Sequence, residues 1–414
     1  MFMKKRKILV TVLILLTIFI LWILEPVSMN PYGKIEIPQA QSEINFNGKA
    51  PGLTMRMDFE KKANELLNDH MNSGHFLGVS VGVSKLDFGS YVASAGFMDK
   101  WERKRANNDM LTRITSITKP MTAIAMMQLY ERGLIDLDVP IQMYLKDFPK
   151  KSNGDITIRQ LLKHTSGMPH YDSGWDAMSF THYPTLKDAV GYFEGRDLIF
   201  DPGTKFQYSS YGYTLLGAIL EEVTQMDYAV YMKRHIWDVA GMTKTGVEIG
   251  TMEYENKTKG YLKIGSRFVK SPNTDLSIIQ SAGGVQSTAR GLLKFGEAVL
   301  GHRLIKSSTL DMMVNATDQL APAIGDDPYG FGWAVYDDPK YGRIIQHGGA
   351  QPGTSTFFAL FFDHQVISVV LSNSFGTRQD AFALTMVLPI WRWKINEESK
   401  SVVNNFLESI KLYI

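Results

Sequence analysis

Two kinds of hydrophobic patterning divide this chain, and their order constrains the fold more than any single motif. The run FLGVSVGVSKLDFGSYVASAGFMDK, residues 76–100, holds two β-rich segments on either side of KLDFGS, which predicts a hairpin. Beyond residue 328 the same texture returns in YGFGWAVY, GRIIQHGG, TSTFFALFF and QVISVVLSNS, with DHQ as a turn between the last two. From 116 to about 310 the pattern is mostly helical: MTAIAMMQLYERGLIDLD ending at Gly133, ITIRQLLKHTSGMPHY stopping at Gly167 and Pro169, then YTLLGAILEEVTQ and TARGLLKFGEAVL. A further helix is expected over MDFEKKANELLNDHMNS, 57–73, another near 378–390, and an amphipathic stretch over 401–412. Strands at both ends of the body and helices between them predict an α+β fold. Its antiparallel sheet is built from the two ends of the chain and flanked by helices, with a mostly helical region inserted.

The N-terminus predicts export. A basic tail, residues 1–7 with MKKRK, precedes ILVTVLILLTIFILWIL, residues 8–24, which carries no charge. Seventeen such residues lie at the short end of the ~17–25 that span a bilayer. Basic residues before the run and Glu25 after it place the N-terminus in the cytoplasm and the body outside, periplasmic or extracellular. LEPVSMN offers no small-x-small cleavage site, which favours a retained transmembrane helix over a removed signal peptide. Residues 25–56 read as a linker, 57–375 as one catalytic-sized domain and 376–414 as a helical extension.

Composition removes several chemistries. There is no cysteine among the 414 residues, so thiol nucleophiles, thiolate metal sites and disulfides are excluded. The net charge of +2 gives no overall basic field for nucleic acid. No metal-binding spacing such as H-E-x-x-H occurs, and no metal or cofactor is expected. The chemistry-bearing stretch is RITSITKPMT, 113–122. Ser116 stands three residues before Lys119, at a predicted helix start whose free N–H groups favour negative charge. A serine hydroxyl needs a nearby base or cation to become a nucleophile, and a lysine one turn away can serve. The bland alternative is a helix-capping serine beside a solvated lysine.

S-x-x-K, HTSGMP, PGTKFQYSSYGYTLLGAILE, SAGGVQSTARGLLKFG, YGFGW and HGGAQPG follow one another in order. Together they resemble the serine β-lactamase and penicillin-binding-protein superfamily, most of all its class C branch with its esterases and D-aminopeptidases. The resemblance covers about residues 57–375. It implies a β-lactamase/transpeptidase-like fold and an acyl-enzyme mechanism, with Ser116 as nucleophile and Lys119 and Tyr208 managing protons. Tyr208 would need a cationic neighbour to lower its pKa. By the same resemblance, Gly348 and Gly349 let substrate approach, and the amides of Ser116 and Ala350 form the oxyanion hole. His347 would line the acyl site on an edge strand. Ser210 stands where the family usually has asparagine. With His347 in place of lysine, this favours esters or peptide amides lacking an essential terminal carboxylate. KTG at 244–246 and YEN at 254–256 match family motifs literally but in the wrong order, and read as decoys. His164 and His170 read as structural. The rival readings are a D,D-carboxypeptidase or weak β-lactamase, and a non-hydrolytic penicillin-recognising protein. Expected partners are a small-molecule or peptide substrate and the membrane.

Overall fold

The computed structural model describes residues 37–46, 53–86, 88–172, 179–250, 252–265, 267–315, 328–339 and 341–376, together with Leu13, Leu15 and Leu16. Among them no helix is long and apolar enough to cross a membrane. The run 8–24 lies outside the described residues except for those three leucines, and the basic tail and the expected helices beyond 376 lie outside them too.

An eight-stranded sheet organises the domain. Its strands are β1 Gln41–Phe46, β2 Gly78–Lys85, β3 Gly89–Asp99, β4 Lys104–Arg105, β5 Ala334–Asp338, β6 Gly342–Gln351, β7 Thr354–Phe361 and β8 Val366–Ser372. The spatial order is β1-β3-β2-β8-β7-β6-β5, with β4 on β3, and all pairings are antiparallel. The two ends of the body meet at the β2–β8 seam, from Val79↔Ser372 to Lys85↔Val366, as the patterning predicts. Gln41–Phe46, expected within a linker, is the outer strand on β3.

Helices cover both faces. Helix α1, Leu53–Asn72, places Phe59, Ala63, Leu67 and Met71 four residues apart on one stripe. That stripe packs on Val79, Val81, Val83, Tyr91, Ala93 and Ala95, the alternate residues of β2 and β3. The opposite face receives the inserted region, including α2 Thr118–Glu131, α3 Ser210–Thr224 and α4 Ala289–Leu300. Thr288 caps α4 by accepting the Gly291 N–H at 3.0 Å.

The middle is less purely helical than its patterning suggests. Two three-stranded sheets interrupt it: Thr112–Arg113, Val285–Ser287 and Gly246–Val247, and Tyr261–Ile264, Arg267–Lys270 and Ser374–Phe375. The hairpin 261–270 had a readable signal, alternating residues around Gly265 at φ +58°. Strands of two or three residues carry no period to read.

Candidate active site

Ser116 is held by a buried ion-pair network a few residues upstream. The Arg113 guanidinium forks onto Glu248 at 2.8 and 2.6 Å, and Lys257 reaches the same carboxylate at 2.9 Å. Burial raises the Glu248 pKa, but Arg113 and Lys257 outweigh it and hold the net value below normal. From there the chain enters a 3₁₀ turn, Thr115–Ile117, and α2 begins only at Thr118. Neither helical start has a side-chain cap, so the Ser116 hydroxyl does not cap the helix. Thr115 has φ +53°, which for a β-branched residue stores about 1–3 kcal/mol of strain. Its hydroxyl lies 3.1 Å from that of Thr356 on β7, which donates to the Ile114 carbonyl at 3.1 Å.

Lys119 is fully buried one turn later. Its Nζ reaches the Ala282 carbonyl at 2.9 Å, Ser116 Oγ at 3.2 Å and Ser210 Oγ at 3.3 Å. It also lies 4.6 Å over the Tyr208 ring. Burial pushes its pKa well below the usual lysine range. A lysine without its extra proton is a base, and it stands within hydrogen-bond reach of the Ser116 hydroxyl.

Tyr208 was expected to titrate low beside a cation. The structure reverses this: burial raises its pKa far above 10, and the Ser116 side chain offsets only part of the rise. The same burial acts on both groups, raising the phenol and lowering the lysine. Tyr208 is therefore a protonated phenol at neutral pH. His164 supports it from behind, ring to ring at 4.4 Å, while its Nδ1 accepts the Ser209 N–H at 3.1 Å.

A cavity of about 340 Å³ opens over these groups, lined by Ser116, Tyr208, Ser210, Gly348, Gly349, Ala350 and Gln351. His170 and Tyr171 also line it, and sequence reading missed both as site residues. His170 Nδ1 accepts the Ser210 N–H at 3.2 Å, and burial followed by Lys119 lowers its pKa to about 4. Burial pushes the Tyr171 phenol up to about 12, against the pull of its neighbour Ser210. Only their place directly after the GMP turn hints at them.

β6 is not an edge strand as expected, since β5 lies outside it. But β5 pairs no further than Ala334↔Gln346, so 347–351 keep a sheet partner on the β7 side alone. His347 does not line the cavity. It is 1% exposed, with Nε2 2.9 Å from the Tyr329 hydroxyl and Nδ1 2.6 Å from the Gly348 carbonyl. The carbonyl requires Nδ1–H, so Nε2 accepts from Tyr329. Burial, then Lys119, lowers its pKa to about 3. Gly348 and Gly349 both line the cavity, and Gly349 also admits the turn beneath it: a Cβ there would collide with the Thr115 hydroxyl. A Cβ on Gly348 would meet only ordinary contact, with Phe357 at 3.7 Å. KTG and YEN lie apart from Ser116, together lining a second cavity of about 310 Å³.

Comparison with known proteins bears on the family of the chain. The β-lactamase family profile matches residues 63–388. The chain is 30% identical over 303 residues to penicillin-binding protein 4* of Bacillus subtilis, spanning 68% of this chain and 65% of that one. It is 27% identical over 336 residues to the mitochondrial serine β-lactamase-like protein of Homo sapiens, spanning 64% and 61%. The chain thus covers less than two thirds of the length of these relatives. Among solved structures, the D-amino acid amidase of Ochrobactrum anthropi SV3 bound to L-phenylalanine superposes with a TM-score of 0.69 at 25% identity, covering 80% of this chain and 96% of that one. The profile spans most of the sheet and all of the Ser116 cavity, and the chain belongs to the β-lactamase family.

Proposed function

We propose that this chain is a membrane-anchored serine hydrolase that cleaves ester or peptide amide bonds through an acyl-enzyme on Ser116. The observation that carries the reading is the buried Lys119 amine 3.2 Å from Ser116 Oγ. In this scheme Ser116 Oγ bonds to the substrate carbonyl carbon as its proton passes to Lys119. The N–H groups of Ser116 and Ala350 take the oxyanion, and one such donor is worth about 2.7–4 kcal/mol. Tyr208, protonated at the start, supplies the proton that the departing alcohol or amine needs, and the proton on Lys119 restores it. Water then cleaves the acyl-enzyme by the reverse path. His347 acts from behind the site through Tyr329 and the Gly348 carbonyl.

Among the described residues, no lysine or arginine side chain lines the cavity. That supports substrates without an essential terminal carboxylate, and the likeness to an amidase adds amides to esters. The uncharged run 8–24 behind a basic tail supports the anchor, with the domain outside the cytoplasm.

The test is labelling of the detergent-solubilised full chain with a fluorophosphonate probe, followed by mass spectrometry of the Ser116 adduct with esters, amino-acid amides, cell-wall peptides and β-lactams. Labelling of wild type and none of Ser116→Ala is expected. A folded wild type that takes no label points instead to a binding protein, and rapid penicillin turnover would overturn the substrate assignment.

A further inference from the structure

The turn between β3 and β4 concentrates positive charge around one exposed indole. Trp101 is 75% accessible, the highest value for any large apolar side chain among the described residues. Arg103, Lys104 and Arg105 beside it are exposed and Lys100 is half-buried, with Glu102 the one acid in the turn. Arg267, on the hairpin 261–270, lies close enough to add to burial in lowering the Lys100 pKa. The turn is locked rather than loose. Buried Asp99 accepts the Trp101 and Glu102 N–H groups at 2.8 and 3.2 Å, and the Tyr261 hydroxyl, which donates to Asp99 at 3.2 Å, accepts the Lys100 N–H at 2.8 Å.

The chain arrives at this same end of the sheet. β1 pairs with β3 from Gln41↔Ser94, and the Gly96 N–H donates to the Pro38 carbonyl at 2.9 Å, so residues 38–41 lie beside the strand that leads into the turn. Residues 25–37 separate them from the apolar run, a reach of at most about 45 Å when extended. Tryptophan concentrates at the headgroup level of bilayers, and clustered lysine and arginine are drawn to anionic lipid within a Debye length.

We propose that this turn docks the domain onto an anionic lipid surface, with Trp101 at headgroup depth and Lys100, Arg103, Lys104, Arg105 and Arg267 against the phosphates. The proposal rests on the anchored reading, since the tether keeps the turn at high local concentration beside the bilayer. The competing occupant is the chain's own residues 377–414, because Ser374–Phe375 pairs with Tyr261–Leu262 of the same hairpin just before Gly376.

The absence of cysteine allows a single-site probe. Glu102→Cys, labelled with an environment-sensitive fluorophore, leaves Trp101 in place. The full chain is reconstituted into phosphatidylglycerol vesicles, phosphatidylcholine vesicles and detergent micelles. The expected result is a blue shift and quenching by brominated lipid in the anionic vesicles only. Both should be lost near 1 M salt, where the Debye length falls to about 3 Å. They should also be lost in Lys104→Glu/Arg105→Glu, with fluorophosphonate labelling unchanged as a check on folding. Water-like emission from chain that floats with anionic vesicles overturns docking but leaves the anchor standing. Chain washed from the vesicles at alkaline pH overturns the anchor and the proposal with it. A probe shielded in micelles and freed by deleting 377–414 assigns the surface to the C-terminal segment, and shielding that rises with protein concentration assigns it to a second copy.

Discussion

Lys119 shows how one residue's role depends on what surrounds it. Every group in reach of its amine is neutral: two serine hydroxyls, the Ala282 carbonyl and the rings of Tyr208 and Tyr213. Burial alone drives its pKa down. Arginine at this position keeps a positive charge and donors but cannot give up its proton. Lys119→Arg should therefore lower kcat/KM for an ester substrate by about 10²–10⁴-fold, the range for loss of a general base. A variant within tenfold of wild type would exclude Lys119 as the base. The S-x-x-K spacing was legible in the sequence. The directions in which the Lys119 and Tyr208 pKa values move were not, because they follow from burial by segments distant in the chain.

At the scale of elements, strand β6 sorts its residues by face. His347, Gly349 and Gln351 point toward the helical region, while Gly348 and Ala350 alternate away from them. Gly349 lets the turn Thr115–Ile117 press against the sheet. Gly349→Ala should push that turn outward, costing about 1–3 kcal/mol by urea denaturation and slowing fluorophosphonate labelling. Gly348→Ala should leave stability nearly unchanged. Equal stability losses in the two variants would contradict the packing. The HGG strand was readable as a strand, but which glycine the Thr115–Ile117 turn presses against depended on register with β7 and on the depth of the turn below.

Across the molecule, buried neutral histidines couple stability to pH. His170 and His347 titrate near 4 and 3 when folded, against 6.5 for a free histidine. Below pH 6.5 the unfolded chain therefore binds protons that the folded chain does not, and stability rises with pH across this window. Each histidine contributes a slope of up to about 1.4 kcal/mol per pH unit between 6.5 and its folded value, and none above 6.5. Tm should fall steadily from pH 6.5 to 4, and less steeply in His170→Asn, whose carbonyl can still accept the Ser210 N–H. A flat Tm over that range would show that these histidines are not buried neutral. Glu248, held low by Arg113, acts in the same direction: its contribution is lost as pH falls through its depressed pKa.

The sequence by itself determined the α+β plan, the closure of the sheet from the two chain ends and the Ser116–Lys119 pairing, because these follow from local periodicity and helical spacing. Only the tertiary structure decided that burial lowers the Lys119 pKa and raises that of Tyr208, that His347 hydrogen-bonds Tyr329, and that His170 and Tyr171 line the cavity. Those outcomes depend on which distant segments exclude water from each group. Segments as far apart as 170–171, 208–210, 279–283 and 348–351 meet over Ser116 only once the sheet and the inserted helices have packed.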